Sequence, residues 1–439
     1  MNVKKFFALA AESGITESEV VVTKNSSLSI GTFRGELENY SIAVSHRIKA
    51  RGIFNGQMGF ASSKKDDKDT PSFLVKQIKD GASVSESDDL AIIFKGSPKY
   101  KRKNMLNPAI QELGEEEKIK NLFLIEKKLK EYDARITEVT VAYEERVGST
   151  ELHNSHGLKL KENGSYFYYY AYIVIKDGEE TKTGYHVHLD NKPEKFDIDT
   201  FVAKVAKNGL DKLGGKPCNS GLYPAILNQE VTASLMQFYL EHVNAENVQK
   251  GSSLFAGKLN EQVASKKVTI IDAPLTNNVF YSYFDGEGVA KFNKAIIEKG
   301  VLKTFLHNLS TGSKFGVEST GNAVGGTGKI GIAPSQATLK AGKLSFNELL
   351  TKLSEGFYLT EVQGLHAGMN PTSGDFSLQA SGFMIKDGKI DKPVSLVTVA
   401  GNLFAMFNNI LEVGSDSELQ LSGFTAPSVL IKEIAVSGE

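Results

Sequence analysis

More than half of the 41 glycines in this 439-residue chain lie after residue 220, among short β-branched runs separated by turns. Glycine in a strand marks a bulge, a bend or a close approach of two backbones. A stretch of this length and composition predicts a curved sheet or partial barrel with helices packed on it. The segment Gly214-Gly-Lys-Pro-Cys-Asn-Ser-Gly concentrates residues that change chain direction. It predicts a boundary between a domain at 1–215 and a domain at 221–439.

The part of the chain before this boundary reads as strands interleaved with amphipathic helices. Thr70 followed by Pro71 predicts a helix start, because proline favours the first helical turn. The turn Lys176-Asp-Gly-Glu-Glu predicts a hairpin. Further helices are predicted over 107–132, 197–213, 229–248, 345–354 and 403–411, and several short strands over 18–60. The fold class is therefore α+β, with an N-terminal α/β region of strands and helices followed by a glycine-rich, mainly antiparallel β domain with packed helices.

The composition excludes several classes of protein. With 51 Lys and Arg against 52 Asp and Glu, the chain has no bulk field that would attract nucleic acid or anionic lipid. A single cysteine excludes an internal disulfide framework and a thiolate-rich metal site, and it favours a reducing compartment. The longest uncharged aromatic run, residues 167–175, is about half the length of a membrane-spanning helix. We expect a cytoplasmic protein.

Histidine and cysteine offer only weak site signals. His186 and His188 alternate in a predicted strand and could chelate a metal together, but only Asp190 lies nearby to complete a set. A packed, tyrosine-rich strand face is the commoner setting for such a pair. Cys218 has no neighbouring histidine in sequence, so a spectator thiol is the favoured interpretation. The glycine cluster at 320–328 lacks the spacing of a phosphate loop, and its glycines are better explained by positive φ or close backbone approach.

The densest polar segment runs from Gly364 to Phe383 and contains His366, Asn370 and Asp375. A loop this rich in hydrogen-bonding groups can line a cleft. It can equally cap its own turns through Asn and Asp side chains. The residues alone support both interpretations about equally.

At this segment the sequence resembles the TldD/PmbA family, also called modulators of DNA gyrase, and it is most similar to the PmbA (TldE) branch. The matching motifs are Phe284-Asp-Gly-Glu-Gly-Val, Ile297-Glu-Lys-Gly-Val-Leu-Lys, Ser319-Thr-Gly-Asn-Ala, Gly364-Leu-His-Ala-Gly-Met-Asn-Pro-Thr-Ser-Gly-Asp-Phe-Ser and Val399-Ala-Gly-Asn-Leu. The match extends along the C-terminal half and is looser before it, at Asn154-Ser-His-Gly-Leu. The resemblance implies a two-part α+β fold and a cytoplasmic role in peptide proteolysis.

The resemblance also provides a test for zinc. The TldD branch holds zinc with His-Glu-x-x-x-His on a helix and a later Cys, and the PmbA branch lacks these residues and partners the zinc-bearing subunit. Aligned on Gly251-Ser-Ser and Val268-Thr-Ile-Ile-Asp, the helix positions of the motif fall on Met236, Gln237 and Glu241. The segment Ile410-Leu-Glu-Val-Gly-Ser-Asp has no Cys. A thioether, an amide and one carboxylate do not form a catalytic zinc site.

The sequence therefore predicts a non-catalytic subunit of a TldD/PmbA-type metalloprotease, with no cofactor of its own and zinc in a TldD-like partner. It would act on unfolded or extended peptides, as a homodimer or a heterodimer, with His366, Asn370, Asp375, Asp285 and Glu287 as candidate cleft residues. One alternative is a regulator of gyrase or a nucleic-acid binder that uses the basic patch Lys99, Lys101, Arg102 and Lys103. Another is a self-sufficient enzyme built on His366 and Asp375 with Asp285 or Glu287.

Overall fold

The computed structural model describes residues 1–325 and 329–439. Its first sheet has six antiparallel strands, which are β1 (Glu17–Phe33), β2 (Glu36–Phe54), β3 (Gln57–Ser63), β4 (Ile136–Asn154), β5 (Lys159–Asp177) and β6 (Glu180–Asp190). Their order across the sheet is β3-β2-β1-β4-β5-β6. The hairpin predicted at residues 176–180 is confirmed, since Asp177 pairs with Glu180.

The strands near the N-terminus are longer than the sequence suggests. The prediction of several short strands over 18–60 is wrong in extent, because β1 and β2 run unbroken for 17 and 19 residues. The polar stretch around Asn25 does not interrupt β1, since Asn25 lies opposite Ser45 of β2 and Gly148 of β4. Neighbouring strands on both sides supply the backbone hydrogen bonds that poor strand formers would otherwise lose.

Helices cover one face of this sheet. They are α1 (Val3–Glu12), α2 (Thr70–Ser83), α3 (Ala109–Glu112), α4 (Glu115–Tyr132) and α5 (Ile198–Leu210), with a 3₁₀ turn at Pro193–Lys195. Along β1, Val20, Val22, Leu28 and Ile30 alternate on the helix-covered face and are buried. The start of α2 at Thr70 confirms the signal from Pro71.

The opposite face of the sheet packs on the C-terminal half, where Val21 and Leu152 meet Tyr283 and Phe284. The strands of that half are β7 (Gly221–Leu227), β8 (Ile270–Asp272), β9 (Lys294–Glu298), β10 (Val301–Leu302), β11 (Ala323–Gly325), β12 (Ile330–Ile332), β13 (Ala337–Leu339), β14 (Gly356–Gln363), β15 (Asp375–Lys386), β16 (Lys389–Asn402), β17 (Ile410–Val413), β18 (Glu418–Leu419), β19 (Thr425–Ala426) and β20 (Val429–Ser437). Its helices are α6 (Gln229–Tyr239), α7 (Ala245–Gln249), α8 (Leu309–Phe315), α9 (Phe346–Leu353), α10 (Leu365–Gly368) and α11 (Leu403–Asn408), with a 3₁₀ turn at Leu240–Val243.

Five of these strands form a closed ring. The hydrogen-bonded order is β16-β15-β14-β7-β20, and β20 pairs back onto β16, with Val399 opposite Val436. A second sheet has the order β10-β9-β8-β13-β19-β18. The α+β fold class is confirmed, and the ring matches the partial barrel that the glycine content predicts. The division at residues 215–221 stays a prediction.

The helix predicted over 229–248 is interrupted. It runs as α6, then the 3₁₀ turn, then α7, because Asn244 leaves the helical conformation and its side chain accepts a hydrogen bond from the Glu246 amide. The buried face of α6 includes Val231, Leu235, Met236 and Tyr239, which pack in the C-terminal core. Among the described residues, none of the helices is both long enough and apolar enough to cross a bilayer.

Candidate functional site

A cleft of about 740 Å³ opens between the first sheet and the C-terminal half. One wall consists of β6 and α5, including Tyr185, His186 and Lys204. The other wall consists of the first turns of α6 and the end of β14, with Glu230 and Glu361 among its residues. A cavity of this size and mixed lining is the usual form of a binding site.

A hydrogen bond between Tyr185 and Glu230 joins the two walls. The Tyr185 hydroxyl donates to Oε1 of Glu230 at 2.6 Å. Glu230 lies in the first turn of α6, where Asn228 caps the helix by accepting from the Val231 amide at 2.9 Å. The Glu230 side chain keeps contact with solvent, yet the surrounding protein raises its pKa, and the neighbouring carboxylates of Glu361 and Glu418 add to the increase.

The acidic wall has few compensating charges. Lys212 donates to Oε2 of Glu361 at 2.9 Å and so pairs its positive charge with this carboxylate. Gln363 donates to the other oxygen of Glu361 at 2.8 Å. Both oxygens of Glu361 are therefore engaged, whereas Oε2 of Glu230 has no hydrogen-bond partner among the described residues and can accept a hydrogen bond from an incoming peptide amide or amine.

The wall formed by β6 and α5 contains the last strand of the first sheet, which is β6. Among the described residues β6 pairs only with β5, so its outer edge has no strand partner. Consecutive residues of β6, from Tyr185 to Val187, contribute to the cleft lining. An open strand edge beside a cleft can hold an extended peptide through backbone hydrogen bonds.

The zinc-helix positions lie farther along α6. Met236 is fully buried in the C-terminal core, whereas Gln237 and Glu241 are exposed. Helical spacing places Gln237 and Glu241 on the same side as Glu230, so this exposed stripe leads away from the cleft. Partial burial raises the pKa of Glu241. A buried thioether with one exposed amide and one exposed carboxylate does not fit a zinc ion.

The described part of the chain does not supply the missing ligands elsewhere. Within residues 1–325 and 329–439, no three His, Cys, Asp or Glu side chains are grouped closely enough to hold a metal ion. His242, beside the zinc-helix positions, already uses both ring nitrogens. Nδ1 accepts from the Leu254 amide at 3.1 Å, and Nε2 lies 3.0 Å from the Pro371 carbonyl oxygen and donates to it in the matching tautomer. Burial lowers the pKa of His242, which favours this neutral form.

The polar segment at 364–383 caps its own turns. Oδ1 of Asn370 accepts from the amides of Thr372 and Ser373 at 3.0 and 3.1 Å. Asp375 accepts from the Ser373 hydroxyl at 2.7 Å and from Asn402 Nδ2 at 2.9 Å. These bonds hold the pKa of Asp375 below its usual value. His366 is exposed on α10, and a role for His366, Asn370 and Asp375 in substrate binding stays a prediction.

Asp285 and Glu287 lie in a different place, buried between the two halves. Asp285 accepts from the amides of Glu287, Val289 and Ala323, each at 2.9 Å. Burial, and then the Glu287 carboxylate, raises the pKa of Asp285 to about 7. Its oxygens accept hydrogen bonds from backbone amides of its own region. The expectation that Asp285 shares one cleft with the 364–383 segment stays a prediction.

Glu287 belongs to a buried ion cluster that joins β1 and β2 to the C-terminal half. Arg51 donates to Glu19 at 2.8 Å and to Glu287 at 3.1 Å, and Oε2 of Glu287 accepts from the Leu309 amide at 2.8 Å. Arg51 and Glu287 also line a smaller cavity of about 460 Å³. Neither Asp285 nor Glu287 lines the larger cleft.

The remaining candidates from the sequence are His186, Cys218 and the two glycine clusters. His186 packs near Phe201, and burial followed by the charge of Lys204 lowers its pKa to about 4. Cys218 is buried and free, and burial raises its pKa. Gly321 and Gly364 have positive φ, as predicted for the glycine clusters, whereas residues 326–328 lie outside the described part.

The basic patch at 99–103 lies on an exposed segment and is partly engaged by the protein itself. Lys103 donates to Asn277 at 2.6 Å and lies over the ring of Tyr281. Arg102 donates to the Lys159 carbonyl oxygen at 3.2 Å.

Sequence reasoning missed the cleft. Tyr185 and Glu230 are 45 positions apart, and Lys212 and Glu361 are 149 apart, so no local motif joins them. The one available signal is the tyrosine-rich strand pair that ends the first sheet, which predicted an aromatic face without showing what it faces.

Comparison with known proteins identifies the family. Models of the PmbA/TldA metallopeptidase match along the chain: domain 1 at 18–82, the central domain at 108–213 and the C-terminal domain at 220–438. A protein named metalloprotease PmbA from Escherichia coli O157:H7 is 26% identical over 98% of this chain and 95% of its own length. A metalloprotease from Methanothermobacter thermautotrophicus is 32% identical over 67% of this chain and 65% of its own.

Solved structures agree. A Thermotoga maritima protein described as a candidate modulator of a DNA gyrase has a TM-score of 0.91 and 30% identity, and the match covers 99% of each chain. TldE from Thermococcus kodakarensis has the same fold, with a TM-score of 0.91, 21% identity and 99% coverage of each chain. From the domain matches, the relatives and the shared fold, the chain belongs to the TldD/PmbA family of metallopeptidases.

Proposed function

We propose that this chain is a non-catalytic subunit of a TldD/PmbA-type protease in the cytoplasm, where it holds extended peptide for a zinc-bearing TldD-like partner. The observation that supports this proposal most directly is the burial of Met236. This residue takes one of the zinc-helix positions on α6, and its side chain is fully buried in the core. A side chain in that position cannot bind zinc in an open coordination site, and Gln237 and Glu241 offer no imidazole.

The cleft supports the peptide-binding part of the proposal. The outer edge of β6 has no strand partner among the described residues, and apart from the Tyr185 carbonyl oxygen, which accepts from Asn208 at 2.9 Å, its backbone groups are offered to any sequence in extended form. This suits a protease for unfolded peptides. On the opposite wall the Glu230 carboxylate, whose Oε2 has no partner among the described residues, accepts a hydrogen bond from a strand lying between the walls. A relative from Saccharolobus solfataricus, 25% identical over 74% of this chain, is named a zinc metalloprotease TldD homolog, which is the kind of partner proposed.

The test combines the purified chain with a zinc-bearing TldD-like chain and measures cleavage of an unfolded peptide. We expect cleavage from the mixture and none from this chain alone. Glu230→Arg reverses the charge on the cleft wall, and we expect it to raise KM for peptide about tenfold with little change in kcat. Glu433→Arg, at an exposed position of β20, is the matched control and leaves KM unchanged. Equal KM values for the two variants would contradict the role of the cleft.

Action on DNA gyrase or on nucleic acid is the alternative function. It is favoured by the description of the Thermotoga maritima relative and by the exposed residues of the 99–103 patch. The net charge of -1 opposes direct nucleic-acid contact. A salt-dependent shift of DNA mobility that Lys99→Glu and Lys101→Glu together abolish would establish direct nucleic-acid binding, and unchanged DNA mobility would exclude it. A change in the supercoiling rate of purified gyrase on addition of the chain would establish action on gyrase, and an unchanged rate would exclude it.

A further inference from the structure

Aromatic rings line the larger cleft on both of its walls. On the first sheet, Tyr170 of β5 and Tyr185 of β6 have ring centroids 6.4 Å apart. On the C-terminal half, the ring of Tyr358 in β14 lies beside those of Phe346 and Phe383, with centroid distances of 4.8 and 6.2 Å. Because the face of an aromatic ring is partly negative, a cavity bounded by such rings on two sides can bind a cation.

A carboxylate lies close to the tyrosines of each wall. Burial, and then the charge of Glu230, raises the pKa of Tyr185, whose hydroxyl donates to Glu230 at 2.6 Å. Burial, and then the charges of Asp416 and Glu418, raises the pKa of Tyr358. Both tyrosines therefore stay neutral at pH 7, and the negative charge near them comes from the glutamates and the aspartate.

The charges that line the cleft do not cancel. They belong to three basic and four acidic residues, which are Lys204, Lys207, Lys212, Asp211, Glu230, Glu361 and Glu418. Lys207 pairs with Asp211, and Lys212 pairs with Glu361. Lys204 belongs to the opposite wall, where its charge adds to the effect of burial in lowering the pKa of His186.

Two carboxylates remain without a cation. Among the described residues neither Glu230 nor Glu418 has an ion-pair partner, and the side chain of Glu418 accepts no hydrogen bond. Burial raises the pKa of Glu230, and the charges of Glu361 and Glu418 increase it further. A cation placed between Glu230 and Glu418 would relieve this repulsion.

We propose that this end of the cleft binds the side chain of an arginine in the extended peptide, so that the chain selects peptides with basic residues. The inference rests on the proposed binding of peptide in the cleft and adds the class of peptide that is bound. A peptide on the edge of β6 directs alternate side chains toward the C-terminal half. There a guanidinium can donate to Oε2 of Glu230 and to the Glu418 carboxylate while its face packs on the ring of Tyr358.

The experiment compares two fluorescent peptides that differ in one side chain. Each is a short, unstructured Gly- and Ser-rich peptide with blocked ends, and its central residue is either arginine or citrulline, which has a similar shape and no charge. Fluorescence anisotropy measures binding to the purified full-length chain. We expect the arginine peptide to bind at least about tenfold more tightly than the citrulline peptide. Equal affinities, or binding of neither peptide, would overturn the proposal.

Two variants test the position of the site. Glu230→Gln and Glu418→Gln keep the size of the side chain and remove its charge, and each is expected to reduce the preference for arginine at least about threefold. Glu433→Gln is the matched control, because Glu433 is exposed on β20 and does not line the cleft. An unchanged preference in both cleft variants, or an equal loss in the control, would overturn the proposal.

Cleavage of the same two peptides by the mixture with a zinc-bearing TldD-like chain separates this inference from the proposed function. Cleavage of both peptides with equal KM would overturn the selection of arginine and leave the protease role in place. A preference for arginine in binding, without cleavage by the mixture, would support the selection and contradict the protease role.

Discussion

Replacing Arg51 by methionine tests how the two halves of the chain are joined. Arg51 is 5% exposed and bridges Glu19 of β1 and Glu287 of the C-terminal half. Both carboxylates are also buried, at 2% and 4% exposure. Methionine keeps much of the apolar volume of arginine but leaves two neighbouring carboxylates without a cation, so at least one of them must take up a proton in the folded protein.

The cost follows from that proton. A glutamate has an ordinary pKa of about 4.3, and each pH unit above it adds about 1.4 kcal/mol to the cost of protonation, which gives about 4 kcal/mol at pH 7. This agrees with the roughly 3–5 kcal/mol seen when one partner of a buried ion pair is removed. The folded Arg51→Met protein binds a proton that the unfolded chain releases, so its stability falls as pH rises through this range. The loss of stability relative to wild type should shrink to about 1 kcal/mol at pH 5.

Equilibrium urea unfolding, followed by circular dichroism at pH 7 and pH 5, measures this difference. Arg34→Met is the matched control, because the Arg34 side chain is 68% exposed and its pair with Glu138 is on the surface. We expect a cost below about 1 kcal/mol for the control at both pH values. If Arg51→Met cost less than about 1 kcal/mol at pH 7, or the same at both pH values, the ion cluster would not hold the halves together as argued.

Three further changes test other parts of the structure. Gly59→Ala places a Cβ 1.9 Å from a carbonyl oxygen of α2, so we expect a loss of about 1–3 kcal/mol in urea unfolding, whereas Gly114→Ala, with no atom within 4 Å, should be near neutral. His186 has a pKa lowered to about 4, so the unfolded chain binds more protons between about pH 6.5 and 4 and stability falls as pH falls through this window. His186→Gln should lose less stability than wild type between pH 7 and pH 4.5, as measured by urea unfolding, and an equal loss in the two proteins would contradict this. Asn402→Ala removes the cap of α11, and a loss of about 1 kcal/mol in thermal or urea unfolding is expected; no loss would contradict the capping role.

Local chemistry made much of the fold predictable. Thr70 and Pro71 mark the start of α2, and the Asp-Gly turn at 177–178 marks the β5–β6 hairpin, because both signals act within a few residues. The unbroken length of β1 could not be predicted, since its polar centre is stabilised by strands that lie far away in sequence. The closed ring of five strands depends on β20 returning to β16, a contact that no local pattern encodes.

The candidate site also has features that the sequence predicts and features that it does not. Met236 could be placed on the zinc helix from sequence motifs, and the structure adds that its side chain is buried. The polar segment around Asn370 left two interpretations open; the side-chain hydrogen bonds show that it caps its own turns, and a role in lining a cleft stays a prediction. The Tyr185–Glu230 contact was out of reach, because it joins a strand of one half to a helix of the other.

The proposed function requires that this chain carries no catalytic zinc site. The most direct measurement is the zinc content of the purified chain after incubation with zinc and removal of free metal, together with cleavage of an unfolded peptide by the same sample. We expect far less than one zinc per chain and no cleavage, with cleavage appearing when a zinc-bearing TldD-like chain is added. One zinc per chain together with cleavage by the chain alone would contradict it.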